Sequence, residues 1–274
     1  EIMLNKQNLH IHSTYADGKD KPEEMILTAI ERGFDSIGFS EHSYMSFSPM
    51  TTQMTDEEAE DYKKEIKSLK EKYKGKIDIF CGLEFESYSV TPIKGYDYVI
   101  GSVHYLEFGG EILGFDRDLE KTREYIDNNF ASNGLEFAKK YFSRVCLLPE
   151  IGKFDIVGHF DLCAKNNEKG NFFDTSSKEY LNAGFEAIHA LKGKIPLFEV
   201  NTGGISRGYH KNPYPKMEFL KEFKECGFGA VITSDCHDKN FIDCYYEEAR
   251  ELLISAGFKS RYLLTDNGFK EVEI

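Results

Sequence analysis

The chain has 274 residues, a length reached by single α/β barrels, and its 41% hydrophobic and 14% aromatic content can fill a sizeable core, which excludes a disordered or fibrous protein. With 47 Asp and Glu against 34 Lys and Arg, the net charge of -13 repels nucleic acid and anionic membranes, and no block of consecutive basic residues offsets it. Six cysteines scattered without a Cys-x-x-Cys pair, together with the lack of any apolar run of about eighteen residues or a signal-peptide pattern, predict a reduced, cytoplasmic chain with no membrane partner.

Short runs rich in Val, Ile and Phe alternate with longer amphipathic stretches, the pattern of a parallel sheet with crossover helices. This predicts strands near 7–12, 35–40, 77–84, 97–103, 154–159, 195–201 and 229–234. Helices are expected at 22–32, 56–74, 118–142, 176–192, 214–226 and 241–256, all within one domain spanning 1–274. Thr55 and Glu58 have the spacing of a capping box, Asp20 and Glu23 the same ahead of the first helix, and Gly75 sits where the second should stop. The connection 85–96, with Pro92 and Gly95, is hardly long enough for a crossover helix and argues against a regular eight-fold barrel. The stretch 104–117, with Gly109-Gly110, is too long for a tight turn and predicts a flap over a site.

Polar residues gather at the ends of these strands. In the first, His10 and His12 alternate with Leu9 and Ile11, so the two imidazoles share a face, and the turn pair Asp17-Gly18 returns a carboxylate toward them. Further ends carry Glu41-His42, Glu84 with Glu86, His104, His159, and Asp235 with His237. Six of the eight histidines therefore follow an apolar run, and in a parallel α/β barrel all such ends open on one face, where active sites are built. Imidazole and carboxylate without thiolate suit Zn, Mn or Fe better than Ca or Mg. His10, His12, Asp17, His42, Glu84, His104, His159, Asp235 and His237 are too many donors for one ion and suffice for two or three divalent transition metal ions. Cys236, between two of these residues, points the other way by strand period and is expected to pack; His189 reads as an ordinary helix residue and His210 as part of a surface loop.

His10-Ile11-His12, Asp17, Glu41-His42, Gly82-Leu83-Glu84, Ser102-Val103-His104, Gly158-His159-Phe160-Asp161 and Ser234-Asp235-Cys236-His237 together resemble the polymerase and histidinol phosphatase (PHP) family. The stretch Glu199-Val200-Asn201-Thr202-Gly203-Gly204, followed by Arg207 and Pro213-Tyr214-Pro215, is similar to its histidinol-phosphate phosphatase branch. The resemblance implies a distorted seven-stranded (β/α) barrel with a metal site at the C-terminal ends of its strands. It implies one ion on His10, His12, Glu84 and Asp235, a second on Glu84, His104 and His159, and a third on Asp17, His42 and His237. Asp17 stands where many members have histidine. Glu84 is preferred to Glu86 on the Gly-x-Glu match alone, and Lys165 follows His-x-Asp-Leu where some relatives carry an arginine.

The implied activity is hydrolysis of L-histidinol phosphate in histidine biosynthesis, by a hydroxide bridging two ions, with Asp17, Glu84, Asp235 and Arg207 as catalytic residues. Arg207 and Lys165 are expected on the phosphate, and Glu41, Asp161 or Asp116 on the substrate's ammonium or imidazole. Another PHP-type phosphatase or phosphodiesterase acting on a small ester or nucleotide is the alternative. A nucleic-acid-processing domain is disfavoured by the acidic balance, and a non-catalytic module by the intact ligand set.

Overall fold

The computed structural model describes residues 5–47 and 53–274. Its strands are β1 (Gln7–Asn8), β2 (Ser36–His42), β3 (Asp78–Glu86), β4 (Tyr98–Ser102), β5 (Tyr105–Phe108), β6 (Glu111–Gly114), β7 (Ile156–Val157), β8 (Leu197–Asn201), β9 (Gly229–Thr233), β10 (Ser260–Thr265) and β11 (Gly268–Glu273). Seven of them form one parallel sheet in the order β1-β2-β3-β4-β7-β8-β9. Beyond β1 the chain stays extended: Ile11 bridges Cys236 in parallel, and the His12 N–H donates to the Cys236 carbonyl at 3.0 Å. The sheet thereby curls into a nearly closed barrel, and its strand positions follow the apolar runs. Strands buried on both faces need no alternation, and β2 and β4 are buried along nearly their whole length.

The interior below the strand ends is filled by Leu9, Phe80, Tyr98, Ile100, Ile156, Leu197 and Val231. Tyr98 donates its hydroxyl to the carbonyls of Leu9 and Phe39, at 2.5 and 3.0 Å, so the one polar group of this plug is satisfied inside the barrel. A larger apolar layer lies outside, between the sheet and helices Pro22–Glu31, Asp56–Lys72, Gly134–Val145, Lys178–Leu191, Met217–Glu225 and Tyr246–Ser255. No helix among the described residues is long and apolar enough to cross a membrane.

Four details depart from the sequence reading or complete it. The stretch 118–142 is two helices, Leu119–Phe130 and Gly134–Val145, because Ala131 and Ser132 take positive φ and Asn133 caps the second by accepting from Glu136 N–H at 3.2 Å. Helix Pro22–Glu31 is capped one residue later than expected: Glu24 accepts the Lys21 N–H at 3.0 Å, while Asp20 accepts from Lys239 N–H. The Thr55–Glu58 box forms as read, with Glu58 accepting the Thr55 N–H at 2.8 Å and Thr55 accepting the Glu58 N–H at 3.2 Å. The hairpin β10–β11, absent from the sequence reading, covers the end of the barrel where the strands begin: Gln7 exchanges side-chain hydrogen bonds with the Leu264 main chain, and Tyr262 lies against Gly229.

The connection 87–97 between β3 and β4 contains no helix. The 104–117 stretch becomes the antiparallel hairpin β5–β6, with Tyr105 opposite Gly114. It is the flap the sequence suggested, and it stands at the end of the barrel where the strands finish.

Candidate metal centre

Glu84 is the hub of the strand ends. It lies near the end of β3, opposite His42 of β2, and is 1% exposed. Its Oε1 is 2.9 Å from His159 Nε2 and 3.4 Å from His104 Nε2; its Oε2 is 3.3 Å from His10 Nε2, 3.4 Å from His12 Nε2 and 2.9 Å from His42 Nδ1. Asp235, just past β9, brings Oδ1 to 3.4 Å from His12 Nε2 and 3.7 Å from His10 Nε2. Asp17 Oδ1 faces His237 Nε2 at 3.1 Å and His42 Nε2 at 3.5 Å. All nine donors expected from the sequence therefore meet at one end of the barrel.

Two further carboxylates aim the rings. Glu199 in β8 is fully buried; its Oε2 accepts from His10 Nδ1 at 2.8 Å and its Oε1 from the His159 main-chain N–H at 2.6 Å, and Asn201 and Thr233 complete its coordination. Glu86 accepts from His104 Nδ1 at 3.0 Å and from the His104 N–H at 2.8 Å. With Nδ1 of His10 and His104 so engaged, Nε2 of each turns toward Glu84, the arrangement that orients metal-binding histidines. The sequence carries a signal for Glu199, a charge inside the buried run Leu197–Val200, though nothing local to it names the His10 partner.

The electrostatics are those of a site arranged around positive charge. Burial pushes the His12 imidazole down to about 3, with His237 and His42 adding to the push. Burial acts the same way on His42, but Glu84 and Asp17 outweigh it and carry that ring up to about 10. Burial raises Glu84 and Asp235, yet the surrounding imidazoles, and for Asp235 first of all Arg207, hold both well below the usual carboxylate range. The carboxylates thus keep their negative charge and draw protons onto His10, His42 and His104, while burial keeps His12 neutral.

A cavity of about 300 Å³ opens above these residues, walled by Tyr105 and Gly114 of the flap hairpin and by Asp116, Lys165 and Arg207. Arg207 Nη2 lies 3.0 Å from Asp235 Oδ2, and its Nη1 donates to the Asp235 carbonyl at 2.7 Å. Lys165 pairs with Asp116 across the mouth. Two acids expected here are elsewhere. Glu41 is fully buried and its carboxylate is taken by the Ser13 N–H and hydroxyl, so it does not face the cavity. Asp161, also buried, turns away from the cavity to accept the Lys216 N–H at 3.1 Å and lines a separate crevice with His210. Period two explains the first, since Glu41 precedes the inward His42; for Asp161 it would predict the face of His159, but the chain turns there into the short helix Leu162–Ala164. Cys236 is 1% exposed and packs, as its strand position implied.

The donor set fits divalent ions. His10 Nε2, both ring nitrogens of His12, Glu84 Oε2 and His159 Nδ1 are buried without a hydrogen-bond partner of good geometry. Each such group costs roughly 1–3 kcal/mol when left unsatisfied, and a cation shared among converging lone pairs removes that cost. The ligand atoms of His12, Asp17, His42 and His237 lie within 4.8 Å of one another, as do those of His10, Glu84 and His159, and those of His10, His12 and Asp235.

A nearly closed seven-stranded barrel with this His, Asp and Glu centre at its strand ends defines the class, and the chain belongs to the PHP domain family, whose model matches residues 8–203. Among its relatives, the histidinol-phosphatase of Lactococcus lactis is 28% identical, over 97% of this chain and 96% of that one. The histidinol-phosphatase of Bacillus subtilis is 26% identical, over 89% and 98%. The crystal structure of histidinol phosphate phosphatase from Lactococcus lactis, complexed with Zn, L-histidinol and phosphate, shares the fold with a TM-score of 0.74 and 24% identity, over 97% of this chain and 99% of that one.

Proposed function

We propose that the chain acts as one catalytic domain that hydrolyses L-histidinol phosphate to L-histidinol and phosphate, the phosphatase step of histidine biosynthesis. The observation that carries this reading is the convergence of imidazoles and carboxylates on Glu84 beneath a cavity that also presents Arg207, Lys165 and Asp116. The relatives named histidinol-phosphatase, matched over nearly their whole length, support it, as do the Zn, L-histidinol and phosphate held by the Lactococcus lactis structure.

In this reading His10, His12, Glu84 and Asp235 hold one ion, Glu84, His104 and His159 a second, and Asp17, His42 and His237 a third. Bound divalent ions supply charge to balance the phosphoryl oxygens and acidify water enough for attack at neutral pH. Glu199 and Glu86 keep the rings of His10 and His104 in position. Arg207 offers the N–H groups not used on Asp235 to the phosphate oxygens, where a planar fork binds two oxygens at once. Lys165 makes the second phosphate contact, and Asp116, its partner at the mouth, receives the substrate's positive end. The -13 charge supplies no track for a polynucleotide backbone.

The test is phosphate release by the metal-loaded protein from L-histidinol phosphate, other small phosphomonoesters, phosphodiesters and single-stranded DNA. Preferential turnover of L-histidinol phosphate with intact DNA is the expected result. Efficient diester or DNA cleavage with feeble histidinol phosphate turnover overturns it.

A further inference from the structure

Three metal-binding side chains stand together on the outside of the barrel, away from the cavity. His189 lies in the last turn of helix Lys178–Leu191, Glu222 in the last turn of helix Met217–Glu225, and Cys226 directly follows that second helix. Glu222 and Cys226 are four residues apart and share a face. The two helices come close because Gly184 has no Cβ: one built there would sit 2.2 Å from the Phe219 ring. That approach sets His189 Nε2 2.6 Å from Glu222 Oε1, with the Cys226 thiol 3.8 Å from the same oxygen. The donor atoms of all three lie within 4.8 Å of one another.

We propose that His189, Glu222 and Cys226 form a second, peripheral site for a zinc-class divalent cation, which pins the ends of the two helices together. Bond lengths of about 2.0–2.3 Å place tetrahedral ligand atoms roughly 3.3–3.8 Å apart. The Glu222–Cys226 spacing already fits. The His189–Glu222 hydrogen bond has to open by less than about 1 Å, which a flexible surface imidazole does without backbone movement. One nitrogen, one oxygen and one sulfur donor select zinc-class ions over the hard, oxygen-seeking Ca and Mg. The His189 side chain is 58% exposed and that of Glu222 27%, so an ion reaches the site from solvent and a water fills its fourth position. The charges beside the thiol are Glu222 and Glu225 against Lys192, a net negative surrounding for a cation; burial and the two carboxylates also push the thiol up, so ion binding releases its proton to solvent.

The experiment uses the full chain with its barrel-end ions in place, titrated with cobalt(II). A thiolate ligand to cobalt gives a near-ultraviolet charge-transfer band that imidazole and carboxylate ligands do not, so this readout is blind to the thiol-free centre at the barrel mouth. The wild-type protein should develop the band to saturation at stoichiometric cobalt. Cys226→Ser should abolish it, while Cys146→Ser, which alters another half-buried thiol, should leave it intact. His189→Ala should weaken cobalt binding at least about tenfold, since loss of a direct ligand costs no less than loss of the groups that merely orient one. Phosphate-ester turnover should be unchanged in all three variants. Absence of the band in the wild type, its survival in Cys226→Ser, or unaltered affinity in His189→Ala overturns the site.

Discussion

Arg207 holds Asp235 at two points, donating from Nη1 to the main-chain carbonyl at 2.7 Å and setting Nη2 3.0 Å from Oδ2. Asp235 needs this grip, because its φ of 46° is a conformation that residues other than glycine adopt at a cost, and such strain persists where surrounding contacts over-determine it. The same arginine also faces His237 Nδ1 at 2.9 Å and lines the cavity. It therefore belongs both to the framework of the proposed centre and to the wall of the cavity proposed to receive the phosphate.

Arg207→Ala should lower kcat/KM on L-histidinol phosphate by on the order of 10² to 10³, and bound metal should fall as well because Asp235 loses its clamp. Arg207→Lys should recover part of the metal content and little of the rate, since an ammonium cannot make the two-oxygen contact. Steady-state kinetics beside metal analysis decide this; near-wild-type turnover in Arg207→Ala would move the clamp to Lys165 or Arg117.

Glu84 and Glu86 have different work in the structure, the first touching five imidazoles and the second orienting His104 alone. Glu84→Gln should strip more metal and more activity than Glu86→Gln. Equal losses in the two variants would show that Glu84 is not a shared ligand.

Glu199→Gln keeps the side chain's shape but removes the charge that fixes the His10 ring and receives the His159 N–H. Metal affinity should drop about 10- to 100-fold, as for other groups that support a ligating histidine. A competition titration against a chromophoric chelator measures it, and an affinity equal to wild type refutes the role.

Gly203 sits where an added Cβ would come 2.9 Å from the Asp235 Cβ and 3.0 Å from Arg207 Nη2. Gly203→Ala should cost about 1–3 kcal/mol of stability, the usual price of overpacking, and should depress activity beyond that by shifting the clamp. Denaturant melts and kinetics on the folded fraction separate the two effects; unchanged values in both contradict the close approach.

Chelation should lower the thermal midpoint, because the buried donors of Glu84, His10 and His12 lose the cation that satisfies them. Each ion restored at a hundred times its dissociation constant should return about 2.7 kcal/mol. A midpoint indifferent to chelator, in protein verified to be metal-free, rules out metal at these residues.

By itself the sequence determined the alternation of strands and helices and the gathering of His10, His12, His42, His104, His159 and His237 at one end of the barrel. Both follow from local rules: periods of two and 3.6 mark the elements, and parallel strands put all their C-terminal ends on one face. Even the missed features left local traces, Ser132-Asn133-Gly134 at the helix break and Asp266-Asn267-Gly268 at the last hairpin. Only the tertiary structure decided which acids serve the site. Glu41, Asp116, Asp161 and Glu199 look alike along the chain, but Ser13 takes the first, Lys165 holds the second at the mouth, Lys216 draws the third away, and His10 engages the fourth. Each of these partners lies at least 28 residues away in sequence, and a carboxylate's task is set by the donors that reach it through space, which no local pattern encodes.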